Sequence, residues 1–130
     1  MELVASLADE LVDHARSCLP DEACGLVAGK DGRAVRVHPM RNADRSATTY
    51  RLDPAEQLAV FEAIERDGFD LLAIYHSHPT TPAVPSDLDL RLALYPDARY
   101  VIVSLADPTR PQLRAYRIAG GVATEEPITR

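Results

Sequence analysis

A chain of 130 residues can bury its own core, and it is short enough to form one domain, residues 1–130. Its 46% apolar and 26% charged residues are ordinary for a globular protein, while a net charge of −6, from 14 basic and 20 acidic residues, argues against nucleic acid and gives no attraction to an anionic membrane. Cys18 and Cys24 form no C-x-x-C pair and are too few to staple a secreted scaffold, so the expected compartment is a reducing cytoplasm.

The first stretch, MELVASLADELVDHARS, is acidic and amphipathic and lacks the basic and then apolar pattern of a signal peptide. No run of about 18 apolar residues exists that would cross a membrane. Leu7, Leu11, Val12 and Ala15 recur at helical spacing, which predicts a helix over about 6–18, stopped by Pro20. CGLVAGK and RAVRVHP then predict a hairpin turning at Asp31-Gly32. Residues 39–49 are polar and irregular, a loop and a candidate substrate contact, and YRLD predicts a short strand ending at Asp53. Asp53-Pro54 reads as an N-cap aspartate with proline at the first helical position, opening a helix that ends at Gly68. DLLAIYHSHP follows with the unbroken apolar run of a strand buried on both faces. Residues 79–85 hold three prolines and form a loop. A helix from Ser86 to Pro96, strands over RYVIVSLAD and QLRAYRI, and a last short strand with a frayed end after Gly120 complete the chain. This order predicts an α/β fold: a mixed sheet flanked by helices.

The chemistry concentrates in YHSHPTTPAVPSDLDL, residues 75–90. On a strand, residues i and i+2 point the same way, so His76 and His78 can aim two imidazoles at one point, with Ser77 facing the opposite side. A carboxylate brought round by the proline-rich loop would complete a two-histidine, one-carboxylate site with water in the fourth position, a hydrolytic zinc arrangement. Two acids compete for that place, Asp87 and Asp89, and spacing alone does not choose between them. Ser86-x-x-Asp89 also has the form of a helix capping box, in which the acid reaches back to the N-cap amide. On that reading, capping and metal ligation compete for Asp89.

His76-Ser77-His78-Pro79, six residues, then Ser86-Asp87-Leu88-Asp89 resembles the H-x-H-P-x6-S-x-x-D signature of the JAMM (MPN+) metalloprotease family. That family also needs a glutamate upstream, before a strand that follows the first helix, and Glu22 in PDEACGLVAG stands there. The likeness covers nearly the whole chain, through PDEACGLVAG, YRLD, YHSHP, PSDLD, ARYVIVS and LRAYRI. It is nearest to the compact Mec-type branch of actinobacteria. It implies the family's cytidine deaminase-like architecture and one zinc ion per chain, held by His76, His78 and Asp89. It also implies Glu22 as the base that deprotonates the attacking water and then protonates the leaving amine, and Ser86 as a hydrogen-bond donor to the oxyanion. No separate cofactor is implied. The branch's substrate would be a ubiquitin-like sulfur carrier protein, cut after its C-terminal Gly-Gly with release of cysteine for cysteine biosynthesis.

Two other functions fit the same fold: a general processing or deconjugating isopeptidase for ubiquitin-like proteins, and a non-catalytic scaffold of the MPN type. The scaffold relatives lack the zinc signature, whereas all five positions stand here. A zinc deaminase would require H-x-E with P-C-x-x-C, and the chain has no C-x-x-C. Cys24 reads as a small buried strand residue despite standing two residues from Glu22, and His14 and His38 have no partner in sequence. The sequence leaves a homodimer open.

Overall fold

The computed structural model describes all 130 residues, Met1 to Arg130. The elements are α1 (Ala5–Cys18), β1 (Cys24–Lys30), β2 (Arg33–Met40), α2 (Pro54–Arg66), β3 (Asp70–His78), α3 (Asp87–Leu92), β4 (Arg99–Ser104), β5 (Gln112–Ala119) and β6 (Val122–Glu126). The six strands form one sheet in the order β2-β1-β3-β4-β5-β6. The β3–β4 pair is parallel and every other neighbouring pair is antiparallel. The sheet is therefore mixed, with β3 and β4 at its centre.

Strand alternation divides the core into two layers. On one face Val27, Tyr75, Val101 and Val103 pack under Ala8, Leu11 and Ala15 of α1. On the other, Leu26, Ile74, Tyr100 and Ile102 pack with Ile64 of α2, and Leu90 of α3 joins them. Successive side chains of β3 thus go to different layers: Tyr75 and Ser77 point to α1, and Ile74, His76 and His78 to α2 and α3. Leu11 is fully buried, and truncating it to alanine would cost about 2–5 kcal/mol.

Several elements follow from local chemistry. Asp31 and Gly32 both have positive φ, as a two-residue hairpin turn requires. Gly25 lies opposite Tyr75, and a Cβ there would stand 2.5 Å from the His38 carbonyl and 2.6 Å from the Tyr75 ring. Only glycine admits that ring. The Tyr75 hydroxyl lies 2.7 Å from His14 Nδ1, which fastens α1 to the central strand on the face away from His76.

Four sequence expectations give way. YRLD is no strand; Leu52 makes a single bridge to Asn42. Asp53 stands at the N-cap of α2 without capping it, because its carboxylate turns to Arg41 at 3.5 Å. The third helix stops at Leu92, four residues before Pro96: the Tyr100 hydroxyl accepts the amides of Leu94 and Tyr95, each at 3.0 Å, and draws the chain out of helical geometry. The C-terminal segment is tied down beyond β6, since Leu3 N donates to the Thr129 carbonyl at 2.7 Å and Thr129 N to that of Met1 at 2.9 Å.

Candidate active site

His76 and His78 close the C-terminal end of β3, both almost fully buried. Their Nε2 atoms are 3.1 Å apart. Asp89 Oδ2 lies 3.1 Å from His76 Nε2 and 3.2 Å from His78 Nε2. It is Asp89 and not Asp87 that meets the histidines; Asp87 is exposed in the first turn of α3.

The proline-rich loop brings Asp89 here because the sheet grips it. The Thr81 carbonyl accepts from Ser104 Oγ at 2.6 Å, the Pro82 carbonyl lies 2.8 Å from His78 Nδ1, and the Ala83 carbonyl accepts from the Tyr116 hydroxyl. Ser86 then caps α3. Its Oγ accepts from Asp89 N at 3.1 Å, and its own N donates to Asp89 Oδ2 at 2.9 Å. Capping and facing the histidines therefore do not compete, contrary to the sequence reading: one oxygen does both. The Ser86 hydroxyl is used only as an acceptor in the cap, which leaves its proton free, and the residue is exposed.

The histidines differ in support. An Nδ1–H donated to Pro82 fixes the orientation of the His78 ring and turns its Nε2 toward Asp89. His76 Nδ1 is buried without a partner. The His76 ring is held instead by Tyr50, stacked on it with centroids 4.5 Å apart and planes 17° from parallel. Burial pushes the His76 pKa below its ordinary value, outweighing the Asp89 carboxylate, so the ring stays neutral. For His78 burial also works downward, but hydrogen bonding to Asp89 and Pro82 and the nearby carboxylates leave the net shift upward. Burial opposes ionisation of Asp89, yet the two imidazoles hold it well below the usual carboxylate range.

Glu22 leads into β1 and is only 4% exposed. Its backbone is fixed on both sides, by Glu22 N donating to the Ser46 carbonyl at 2.8 Å and by Ala23 N donating to Ser77 Oγ at 2.7 Å. Oε1 is buried with no partner. Burial raises its pKa to about 7, with His78 lowering it and Asp89 raising it. Cys24, fully buried across from His76, is pushed by burial up to about 12 and is no nucleophile at neutral pH.

The donor set fits a metal ion. Three ligand atoms from two imidazoles and a carboxylate converge within 4.8 Å, the two histidines buried and Asp89 partly so. A cavity of about 320 Å³ opens beside Asp89, walled by Tyr50, Leu52, Leu88, Leu92, Leu94 and Tyr95. Sequence reasoning missed Tyr50, whose only signal was an aromatic residue in an otherwise polar segment. It also missed Asn42, whose Asn-x-Asp context is that of an Asx turn.

A mixed sheet that buries a two-histidine, one-carboxylate cluster beside an unpartnered carboxyl group is the architecture of a hydrolase. The chain belongs to the family of prokaryotic homologues of the JAB domain, which matches residues 4–119. It is 52% identical over 126 residues to the CysO-cysteine peptidase of Mycobacterium tuberculosis, covering 95% of this chain and 86% of that one. It is 40% identical over 111 residues to the desampylase of Haloferax volcanii, covering 80% of each. A protein of Desulfitobacterium hafniense solved in solution superposes with a TM-score of 0.90 at 40% identity, over 98% of this chain and 90% of that one. No helix is long and apolar enough to cross a membrane.

Proposed function

We propose that the chain, as a single domain, is a cytoplasmic zinc metallopeptidase. It hydrolyses the bond after the C-terminal Gly-Gly of a ubiquitin-like sulfur carrier protein and releases cysteine, a step in cysteine biosynthesis. The observation that carries the substrate is the 52% identity to a CysO-cysteine peptidase across nearly the full chain. The chemistry is supported by the His76, His78 and Asp89 cluster with Glu22 buried near it.

His76, His78 and Asp89 would hold the zinc. Bound there, zinc supplies Lewis acidity toward the scissile carbonyl and makes a water acidic enough to react near neutral pH. Glu22 Oε1, free of other partners, takes the proton from the attacking water and delivers it to the amine nitrogen of the leaving residue. Burial of that carboxyl group favours its protonated form, which helps it hold the proton between the two halves of the transfer. The spare proton of Ser86 Oγ serves the carbonyl oxygen as negative charge builds on it. The largely apolar cavity of about 320 Å³ beside Asp89 offers room for a few residues of an extended tail.

The test is to incubate the zinc-loaded protein with a sulfur carrier protein bearing a C-terminal cysteine and follow cysteine release by mass spectrometry. Release that Glu22→Gln abolishes supports the reading. Likeness to a desampylase favours one rival, a general deconjugating isopeptidase, which would cut lysine-linked conjugates as fast as the cysteine adduct. Zinc binding with no cleavage of either substrate would return the chain to the scaffold class.

A further inference from the structure

We infer that Asn42 is a positioning residue of the active site: its buried side chain ties the backbone of Glu22 to the loop that lays Tyr50 on His76. The inference rests on the reading of Glu22 as the proton-transfer group and goes beyond it by naming what holds that group and His76 in register.

Asn42 stands just past the end of β2, in the segment between β2 and α2. It is one of the few buried polar residues of the chain. Its Nδ2 donates to the carbonyls of Glu22 at 3.1 Å and Thr49 at 2.9 Å, with the Ser46 carbonyl at 3.4 Å. Its Oδ1 accepts the amides of Asp44 at 3.0 Å and Arg51 at 3.2 Å. A side-chain amide has two donor hydrogens and two acceptor lone pairs, and here all are engaged. Aspartate has no donor to offer three carbonyls, glutamine is longer by a methylene, and serine has a single hydroxyl. The partners are backbone groups on Glu22, on Ser46 and on both sides of Tyr50.

This bridge meets a need at each end. Glu22 Oε1 has no partner, so no hydrogen bond to that oxygen anchors the carboxyl group and its place depends on where the backbone starts the side chain. That backbone is held to the loop twice, through Asn42 Nδ2 and through Glu22 N to Ser46 O. His76 Nδ1 has no partner either, so the ring lacks the hydrogen bond that orients His78. The stacked face of Tyr50 replaces it, and Tyr50 is placed by the bonds to Thr49 O and Arg51 N that flank it. One side chain thus sets the relative position of the proton-transfer group and a metal-binding imidazole. A displacement of about 1 Å between such groups costs on the order of 100-fold in rate.

The experiment compares Asn42→Asp, Asn42→Ala, Asp44→Ala and Glu22→Gln in the full chain. Asn42→Asp is isosteric and keeps the two bonds accepted by Oδ1 but loses those donated to Glu22, Ser46 and Thr49; Asn42→Ala loses both sets without adding charge. Asp44→Ala loosens the same loop by removing the contacts to Thr49 and Arg51, at 3.1 Å each, without touching Glu22 or Tyr50. The expected result is a fall in kcat of about 10- to 100-fold for both Asn42 variants, with KM changed less than about threefold, on a sulfur carrier protein ending in Gly-Gly-Cys. In the metal-free protein, the ring-proton resonances of His76, shifted upfield by the Tyr50 ring, should move downfield in both. Asp44→Ala should lose thermal stability and keep both kcat and the His76 resonances.

Asn42 variants with the wild-type kcat and unmoved His76 resonances overturn the inference, as does a loss of kcat that Asp44→Ala shares in proportion to stability. If neither Asn42 variant folds, Asn42 is a folding residue and the inference fails. An active Glu22→Gln, in contrast, sinks the assignment of Glu22 itself, whatever the Asn42 variants do.

Discussion

The raised pKa of Glu22 carries a stability cost that can be measured without substrate. The carboxyl group is 4% exposed and Oε1 has no partner, so ionising it in the folded, metal-free protein leaves a poorly solvated charge. Its pKa is about 7 in the native state against an ordinary 4.5, a difference of about 2.5 units. At about 1.4 kcal/mol per unit this is about 3 kcal/mol. Below pH 4.5 both the native and the unfolded chain hold the proton, and Glu22 exacts no penalty. Between 4.5 and 7 the unfolded chain releases it while the native state keeps it, so stability falls as the pH rises. Above 7 the penalty is complete. Glu22→Gln is close to isosteric and cannot ionise. Urea unfolding of both metal-free proteins at pH 4.5 and pH 8.5 reads this effect, because His76, His78 and Asp89 are present in both. The variant should gain about 3 kcal/mol over the wild type on going from the lower to the higher pH. An equal difference at the two pH values would mean that Glu22 titrates alike in the folded and the unfolded chain, and the argument for a buried proton carrier would fail.

Elemental analysis should find one zinc per chain in the wild type, Glu22→Gln and Asp87→Ala, and none in His76→Ala or Asp89→Ala; zinc lost from Asp87→Ala and kept by Asp89→Ala would reverse the assignment. Ser86→Ala should lower kcat about 100-fold if its hydroxyl serves the developing oxyanion, while the lost cap lowers stability by about 1 kcal/mol in urea. A Ser86→Ala enzyme with full kcat and only the stability loss would leave Ser86 as a cap alone. Tyr75→Phe removes the bond to His14 on the α1 face, so it should cost about 1 kcal/mol of stability with kcat unchanged.

The parts of the fold that were legible in sequence are those whose causes are local. The turn at Asp31-Gly32 needs two residues tolerant of positive φ, and those residues are adjacent in the chain. The apolar run before His76 marks a strand with both faces covered, and β3 is central in the sheet. The meeting of His76, His78 and Asp89 was legible because their spacing resembles a known signature. What was illegible depends on partners distant in sequence. The end of α3 is set by the hydroxyl of Tyr100, Asp53 is drawn from its cap by Arg41, and Thr129 is held by Met1 and Leu3. Tyr50 and Asn42 belong to the same class: the role of each is fixed by a contact across the fold, to His76 and to Glu22.

The double use of Asp89 Oδ2 decides whether the site is built before the metal arrives. An isolated six-residue helix has no stability of its own. α3 persists because Ser86 caps it, because Leu90 packs into the core, and because the loop before it is fastened to β3, β4 and β5 through Pro82, Thr81 and Ala83. The Ser86 Oγ cap, the Leu90 packing and the three loop contacts involve no atom that would bind zinc. The Ser86 amide also fixes the oxygen that faces the histidines, so the carboxylate arrives already aimed. Such a site gives up little conformational entropy on binding, unlike small zinc domains whose folding waits for the ion. Zinc titrated into the metal-free protein should therefore leave the far-ultraviolet circular dichroism unchanged while raising the thermal midpoint in proportion to the logarithm of free zinc. A gain of helical signal on zinc addition would show that α3 forms with the metal, and the cap and the three strand contacts would then be consequences of binding and not its preparation.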